Sequence, residues 1–118
     1  MATARQFRTI ALALEGTTEA PHFDRAAFRV NRIYATLAAD GRSANLKFTP
    51  DEQELKCLTA PDAFERIPNG WGAQGWTTAT LAALGVAELK AALETAWRHA
   101  LPKSPRKPAP RKSTRRKG

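Results

Sequence analysis

The chain has one cysteine, one tyrosine and one methionine in 118 residues. A lone thiol, Cys57, excludes an intrachain disulfide, so the fold rests on its own apolar core and suits a reducing compartment. No apolar run is long enough to span a bilayer, and the opening Met1-Ala2-Thr3-Ala4-Arg5-Gln6-Phe7-Arg8 lacks the apolar stretch of a secretory signal. No Cys/His set has zinc spacing. Acidic residues are missing from one segment altogether. Nineteen Lys and Arg face eleven Asp and Glu, for a net charge of +8. Eight of the nineteen and none of the eleven lie between Lys103 and Gly118, so residues 1–102 balance eleven against eleven. The expectation is a cytoplasmic protein with nucleoid association as an option, no membrane contact, no cofactor and no metal. Its basic character belongs to a terminal segment and not to its body.

The balanced part is long enough for one domain, residues 1–102. Thr3-Ala4-Arg5-Gln6 fits a capping box, and Phe7, Ile10, Ala11 and Leu14 recur at helical spacing, with Gly16 placed to end the helix. From Glu19 the period becomes two. Phe28 and Val30 share a face, and the alternation repeats in Ile33, Ala35 and Leu37 and in Ala44, Leu46 and Phe48. Turn signals at Val30-Asn31-Arg32-Ile33 and Asp40-Gly41 make this a meander of three or four antiparallel strands, starting near Pro21-His22-Phe23. Thr49-Pro50-Asp51-Glu52 opens a short helix with Leu55 and Leu58 inward, and Pro61 closes it. Phe64–Ile67 and Trp76–Thr78 read as strands around an Asn69-Gly70 turn. Val86, Leu89, Leu93, Ala96, Trp97 and Ala100 mark a last amphipathic helix ending at Pro102. The pattern predicts an α+β fold, with an antiparallel sheet and both terminal helices on one face. Residues 103–118 hold Lys, Arg, Pro, Ser and Thr with no large apolar residue, which predicts disorder.

Phe7-Arg8-x-Ile10-Ala11-Leu12-x-Leu14-x-Gly16, Pro21-His22-Phe23 and Ala27-Phe28-Arg29-Val30 resemble the MmcQ/YjbR family. The agreement continues through Ala44-Asn45-Leu46-Lys47, Pro50-Asp51-Glu52-Gln53, Gly70-Trp71-Gly72-x-x-Gly75-Trp76-Thr77 and the Glu88-Leu89 helix to Trp97. It covers roughly residues 5–102. The resemblance implies a CyaY-like fold, similar to frataxin and to the double-wing domain of phage transcription factors, and a DNA-binding role inferred from that fold. Frataxin-like proteins also use an acidic ridge for iron. Here Glu15, Glu19 and Asp24 stand beside Arg5, Arg8 and Arg25, so the like-charge cluster is missing.

Three sets of residues carry functional readings. The first is the terminal segment, with Lys103, Arg106, Lys107, Arg111, Lys112, Arg115, Arg116 and Lys117 spread along a proline-stiffened line. Ser104-Pro105-Arg106-Lys107 resembles the Ser-Pro-basic-basic units of histone tails. Engaging all eight charges on duplex DNA would give a log–log salt slope of at most roughly −7. A solubilising role or general RNA attraction is the alternative. The second is Arg29, Arg32, Arg42 and Lys47, in or beside the hairpins, where wings would touch phosphates; the alternative is a solvated strand face. The third is Gly70–Trp76, where Trp71, Gln74 and Trp76 could stack on or bond a base or ligand. For Trp76 the favoured reading is cover for an open core edge.

His22, Asp24 and Cys57 are the candidates for nucleophile chemistry, provided that they meet in space; a hydrogen-bonded His and a buried thiol are favoured over it. His99 suits the dipole of a helix C-terminus. The leading expectation is a non-enzymatic protein that binds DNA, or RNA, largely without sequence preference. The alternative is a small-ligand or protein-interaction module using Gly70–Trp76. An enzyme built on Cys57 or His22 comes third.

Overall fold

A computed structural model describes residues 1–102. The segment from Lys103 to Gly118, with its expected disorder and its eight basic contact residues, lies outside the described residues. The order is α1 (Ala4–Ala13), β1 (Thr18–His22), β2 (Arg25–Arg29), β3 (Ile33–Leu37), β4 (Ser43–Lys47), α2 (Pro50–Thr59), β5 (Phe64–Arg66), α3 (Gly70–Ala73), β6 (Trp76–Thr80), a 3-10 turn (Leu81–Ala83) and α4 (Val86–Ala100). The strands form one six-stranded sheet in the order β1-β2-β3-β4-β6-β5. All neighbouring strands run antiparallel. This is the α+β architecture that the sequence pattern predicts.

Residues directly opposite each other in a sheet share a face. Phe28, Ala35 and Leu46 form one row, and Leu37, Ala44 and Ala79 another. Both rows are buried and belong to a single core with Phe7 and Ala11 of α1 and Leu89, Ala92, Leu93 and Ala96 of α4. The alanines of α4 let its backbone lie close to β3 and β4, and α1 packs against α4. Phe7 meets Phe28 edge to face at 5.3 Å. Both expected capping boxes are present, Thr3 with Gln6 and Thr49 with Glu52.

The alternation breaks at one place. Phe28 pairs with Ala35 but Arg29 pairs with Ile33, which leaves Tyr34 as an extra, bulged residue. Tyr34 is fully buried, and its hydroxyl lies 2.9 Å from the Thr17 hydroxyl and 3.5 Å from the Ala11 carbonyl. Burial raises the pKa of its phenol, an effect the Thr17 hydrogen bond partly opposes. Ile33 therefore does not share a face with Ala35 and Leu37, as strict alternation predicts. It is turned to the opposite side of the sheet.

Other local expectations are corrected. Helix α1 stops at Ala13 with Leu14 extended, and Gly16 (φ +81°) shapes the turn that follows. Leu55 and Leu58 are 62% and 72% exposed. Helix α2 instead turns Gln53, Cys57 and Ala60 inward, a helical i, i+4, i+7 stripe. Asn69-Gly70 does not simply turn the chain: Asn69 caps α3. His99 does not serve the helix dipole alone. Its Nε2 lies 2.8 Å from Glu52 Oε1, tying the end of α4 to the start of α2.

Burial alone would raise the pKa of Glu52, but the Thr49 backbone N–H and His99 outweigh it and hold the carboxyl below its ordinary value. A depressed carboxyl stabilises the fold above its unfolded-state pKa, and that contribution is lost as pH falls through the folded value. The melting temperature of the protein should therefore exceed that of Glu52→Gln at neutral pH. The gap should close as pH drops from about 5 to about 3. A pH-independent gap in parallel thermal melts would contradict this assignment.

Candidate binding groove on the open sheet face

The face away from α1 and α4 carries the other register row: Ala27, Thr36, Asn45, Thr78 and Glu65. Their side chains bond along the sheet. Thr78 Oγ donates to Asn45 Oδ1 at 3.0 Å, and Arg25 Nε donates to Thr36 Oγ1 at 2.8 Å. Arg25 thereby lies across the floor from β2 to β3. Ile33, delivered by the bulge, adds apolar surface. A groove of about 480 Å³ sits here, floored by Ile33, Thr36 and Asn45 and walled by Ile67, Trp71 and Trp76. Arg25 and His22 close its other side. Its size lies within the range of about 300–1,000 Å³ usual for small-molecule sites.

The tryptophan wall is held by backbone constraints. Asn69 adopts φ 138°, and its Oδ1 accepts the Trp71 N–H at 2.8 Å. A Cβ on Gly72 would fall 1.6 Å from the Ile67 carbonyl oxygen. Gly75 combines φ +108° with a would-be Cβ 1.8 Å from the Phe48 oxygen. Both positions need glycine because another backbone occupies the side-chain space. Gln53, buried in α2, then reaches across. Its Nε2 lies 3.0 Å from the Gly72 carbonyl, 2.9 Å from the Trp76 carbonyl and 3.1 Å from Thr77 Oγ1. Two N–H groups serve three acceptors, so one hydrogen is shared. Sequence reasoning assigned Gln53 no role at the site. The available signal was its place on the 53/57/60 stripe, where a long amide must bond something inside.

The four basic residues of the body do not form one set. Arg29 ends β2, Arg32 lies in the turn to β3 and Lys47 ends β4, so antiparallel pairing brings them to one end of the sheet. Arg42 lies in the β3–β4 turn at the opposite end, where Asp40 Oδ1 accepts its backbone N–H at 2.9 Å. Lys47 faces Trp76 across the β4–β6 pair. Burial, then repulsion from Arg32, lowers the pKa of the Lys47 ammonium. Among the described residues the ion pairs are Arg8–Glu19 and Glu52–His99. Arg25, Arg29, Arg32 and Lys47 thus have no carboxylate partner there.

Trp71 is 60% exposed and Trp76 is half-buried. Gln74 is exposed at the end of α3 and does not line the groove. His22 stands at the groove, but Cys57 lines a separate concavity with Leu58 and Arg66, so the two do not meet. Asp24 lies in the turn after β1, not on a strand with His22, because Phe23 takes φ 60° and reverses the chain. Burial raises the pKa of the Cys57 thiol, the opposite of an activated nucleophile. Glu19 of the would-be acidic ridge is bonded to Arg8 at 3.1 Å. A wider concavity of about 750 Å³ beside Phe23 mixes Glu19, Asp24 and Asp40 with Arg8 and Arg25, so it presents no single sign of charge.

Helices on one side of an antiparallel sheet and a tryptophan-walled groove on the other define a small α+β domain with an accessible sheet face. The YjbR family model matches residues 12–99, and the chain belongs to that family. Two solved structures share the fold. Protein DR2400 of Deinococcus radiodurans, described as a DUF419 domain, is 21% identical, with a TM-score of 0.69 over 81% of this chain and 76% of that one. A protein from Pseudomonas syringae is 18% identical, with a TM-score of 0.60 over 82% of this chain and 97% of that one. No curated protein matches the chain. Among the described residues, no helix is long and apolar enough to cross a membrane.

Replacing Gln53 by Met keeps the volume and removes the amide; the Gly72 and Trp76 carbonyls keep the backbone N–H groups of Gly75 and Ile67, while the Thr77 hydroxyl loses its donor. The expected cost is about 1–2 kcal/mol. For a domain of this size that corresponds to a melting point lower by roughly 5–15 °C. An unchanged melting point in calorimetry would show that the amide does not anchor the groove wall.

Proposed function

We propose that this protein is a non-enzymatic nucleic-acid-binding protein. The cationic end of its open sheet face, Arg29, Arg32 and Lys47, contacts phosphates. The basic segment from Lys103 to Lys117 adds attraction that does not depend on sequence. The observation that carries this reading is the gathering of the three cations at one sheet end, without a carboxylate partner among the described residues. Burial, and after it repulsion from Arg32, disfavours the charged form of Lys47, and a polyanion would relieve that repulsion. Arg42, at the far end, has no part in this contact.

A second reading is favoured by the groove itself. Its apolar wall and central position also suit a small planar ligand, with the basic segment incidental.

Binding of a fluorescent DNA duplex, measured at about 50 and 200 mM salt, separates the two readings. The full chain should bind with a steep salt dependence. A chain ending at Pro102 should bind more weakly, with its slope flatter by up to roughly 7. Arg32→Ala/Lys47→Ala in the full chain should flatten the slope by about 2. Arg42→Ala should have a smaller effect. Absence of binding to duplex DNA and to single-stranded DNA or RNA would reject the nucleic-acid reading and leave the ligand module.

A further inference from the structure

We propose that the groove accepts one unstacked nucleobase of a single strand, its ring lying on the Trp71 indole and its neighbouring phosphates on Lys47 and Arg32. This inference rests on the nucleic-acid reading above and names the form of nucleic acid that the open face selects.

Four observations carry it. The Trp71 indole is largely exposed, although its backbone is fixed by Asn69 and by the buried contact at Gly72. An aromatic ring presented on a fixed backbone loses little entropy when a base stacks on it. Among the described residues, neither Trp71 nor Trp76 is paired with another ring, so no aromatic side chain competes with an incoming base. The groove floor offers donors. Asn45 Oδ1 is engaged by Thr78, which leaves its amide N–H groups for a ligand, and the Arg25 guanidinium lies beside it. Such donors match the ring carbonyls and nitrogens of a base.

The fourth observation is continuity. Lys47 is the cross-strand neighbour of Trp76, so cationic charge begins where the apolar wall ends. A free aromatic molecule would use the wall alone. A strand uses both, because its phosphates flank each base at fixed reach. In a duplex the base faces are covered by stacking, so a paired base cannot lie on Trp71 without being turned out. The wider concavity beside Phe23 lacks this combination, since carboxylates line it.

The test uses the full chain and four probes: a thymidine 12-mer, an abasic 12-mer with the same phosphates, a hairpin duplex, and free thymidine monophosphate. Binding is followed by anisotropy for the oligonucleotides and by tryptophan quenching for all four. The thymidine 12-mer should bind tighter than the abasic strand by about 5- to 150-fold, the range set by one base–aromatic stack. Trp71→Ala should erase that difference and leave abasic binding unchanged, while Trp71→Phe should keep most of it. Trp71 is exposed, so its loss should leave the melting temperature in place.

Equal affinity for the thymidine and abasic strands would overturn the base-in-groove proposal while leaving phosphate binding intact. Equal loss of both in Trp71→Ala would do the same. Saturation by free thymidine monophosphate at lower concentration than by the 12-mer would replace the strand with a small ligand. Failure of every oligonucleotide to bind would reject the nucleic-acid reading itself.

Discussion

The Gln53 side chain is the point on which the groove depends. It is a polar group in the inward stripe of a short helix, where an apolar residue would ordinarily sit. Its amide joins the carbonyls of Gly72 and Trp76 to the hydroxyl of Thr77, and so fastens α2 to the segment that carries the tryptophans. A buried amide of this kind is costly to leave unpaired, so Gln53 favours the arrangement that brings these acceptors to it. The glycines make it feasible. Without side chains at 72 and 75, the chain can press against the Ile67 and Phe48 carbonyls and bring its own carbonyls to the amide. Trp71 can then be exposed and still be fixed in place.

The sheet divides its labour by face. Rows of Phe28, Ala35 and Leu46, and of Leu37, Ala44 and Ala79, form the side on which α1 and α4 lie. The reverse side carries Thr36, Asn45 and Thr78, whose polar groups bond from strand to strand: Thr78 to Asn45, and Arg25 to Thr36. Antiparallel pairing also decides where charge gathers. Residues beside the β2–β3 turn and at the end of β4 meet at one end of the sheet, and a residue of the β3–β4 turn is sent to the other. A body with no net charge thereby brings Arg29, Arg32 and Lys47 to one end of the sheet, because register and not composition decides which charges are neighbours.

Much of the fold is legible in the chain because it is written in local chemistry. Thr3 with Gln6 and Thr49 with Glu52 announce helix starts by side-chain hydrogen bonds spanning three residues, and both form. Alternation through Ala44, Leu46 and Phe48 marks a half-buried strand. The block Gly70–Trp76 stands out by composition. What local chemistry misses depends on partners distant in sequence. Leu55 and Leu58 read as inward residues, yet α2 lies against short β5 and turns Gln53 and Cys57 in. Ile33 reads in step with Ala35, yet Tyr34 is bulged so that its hydroxyl can reach Thr17. His99 reads as a helix-end cation, yet it meets Glu52 across forty-seven positions.

By itself the sequence determined the class of fold, the two capped helices, the hairpins and the separation of a neutral body from a basic end segment. Each of these follows from spacing, capping or charge counted along the chain. The tertiary structure decided which face of α2 is buried, which cations stand together and that Gln53 supports the tryptophan wall. These depend on register and on contacts between elements, and pairing of one strand with another is fixed only when the whole sheet closes over a common core.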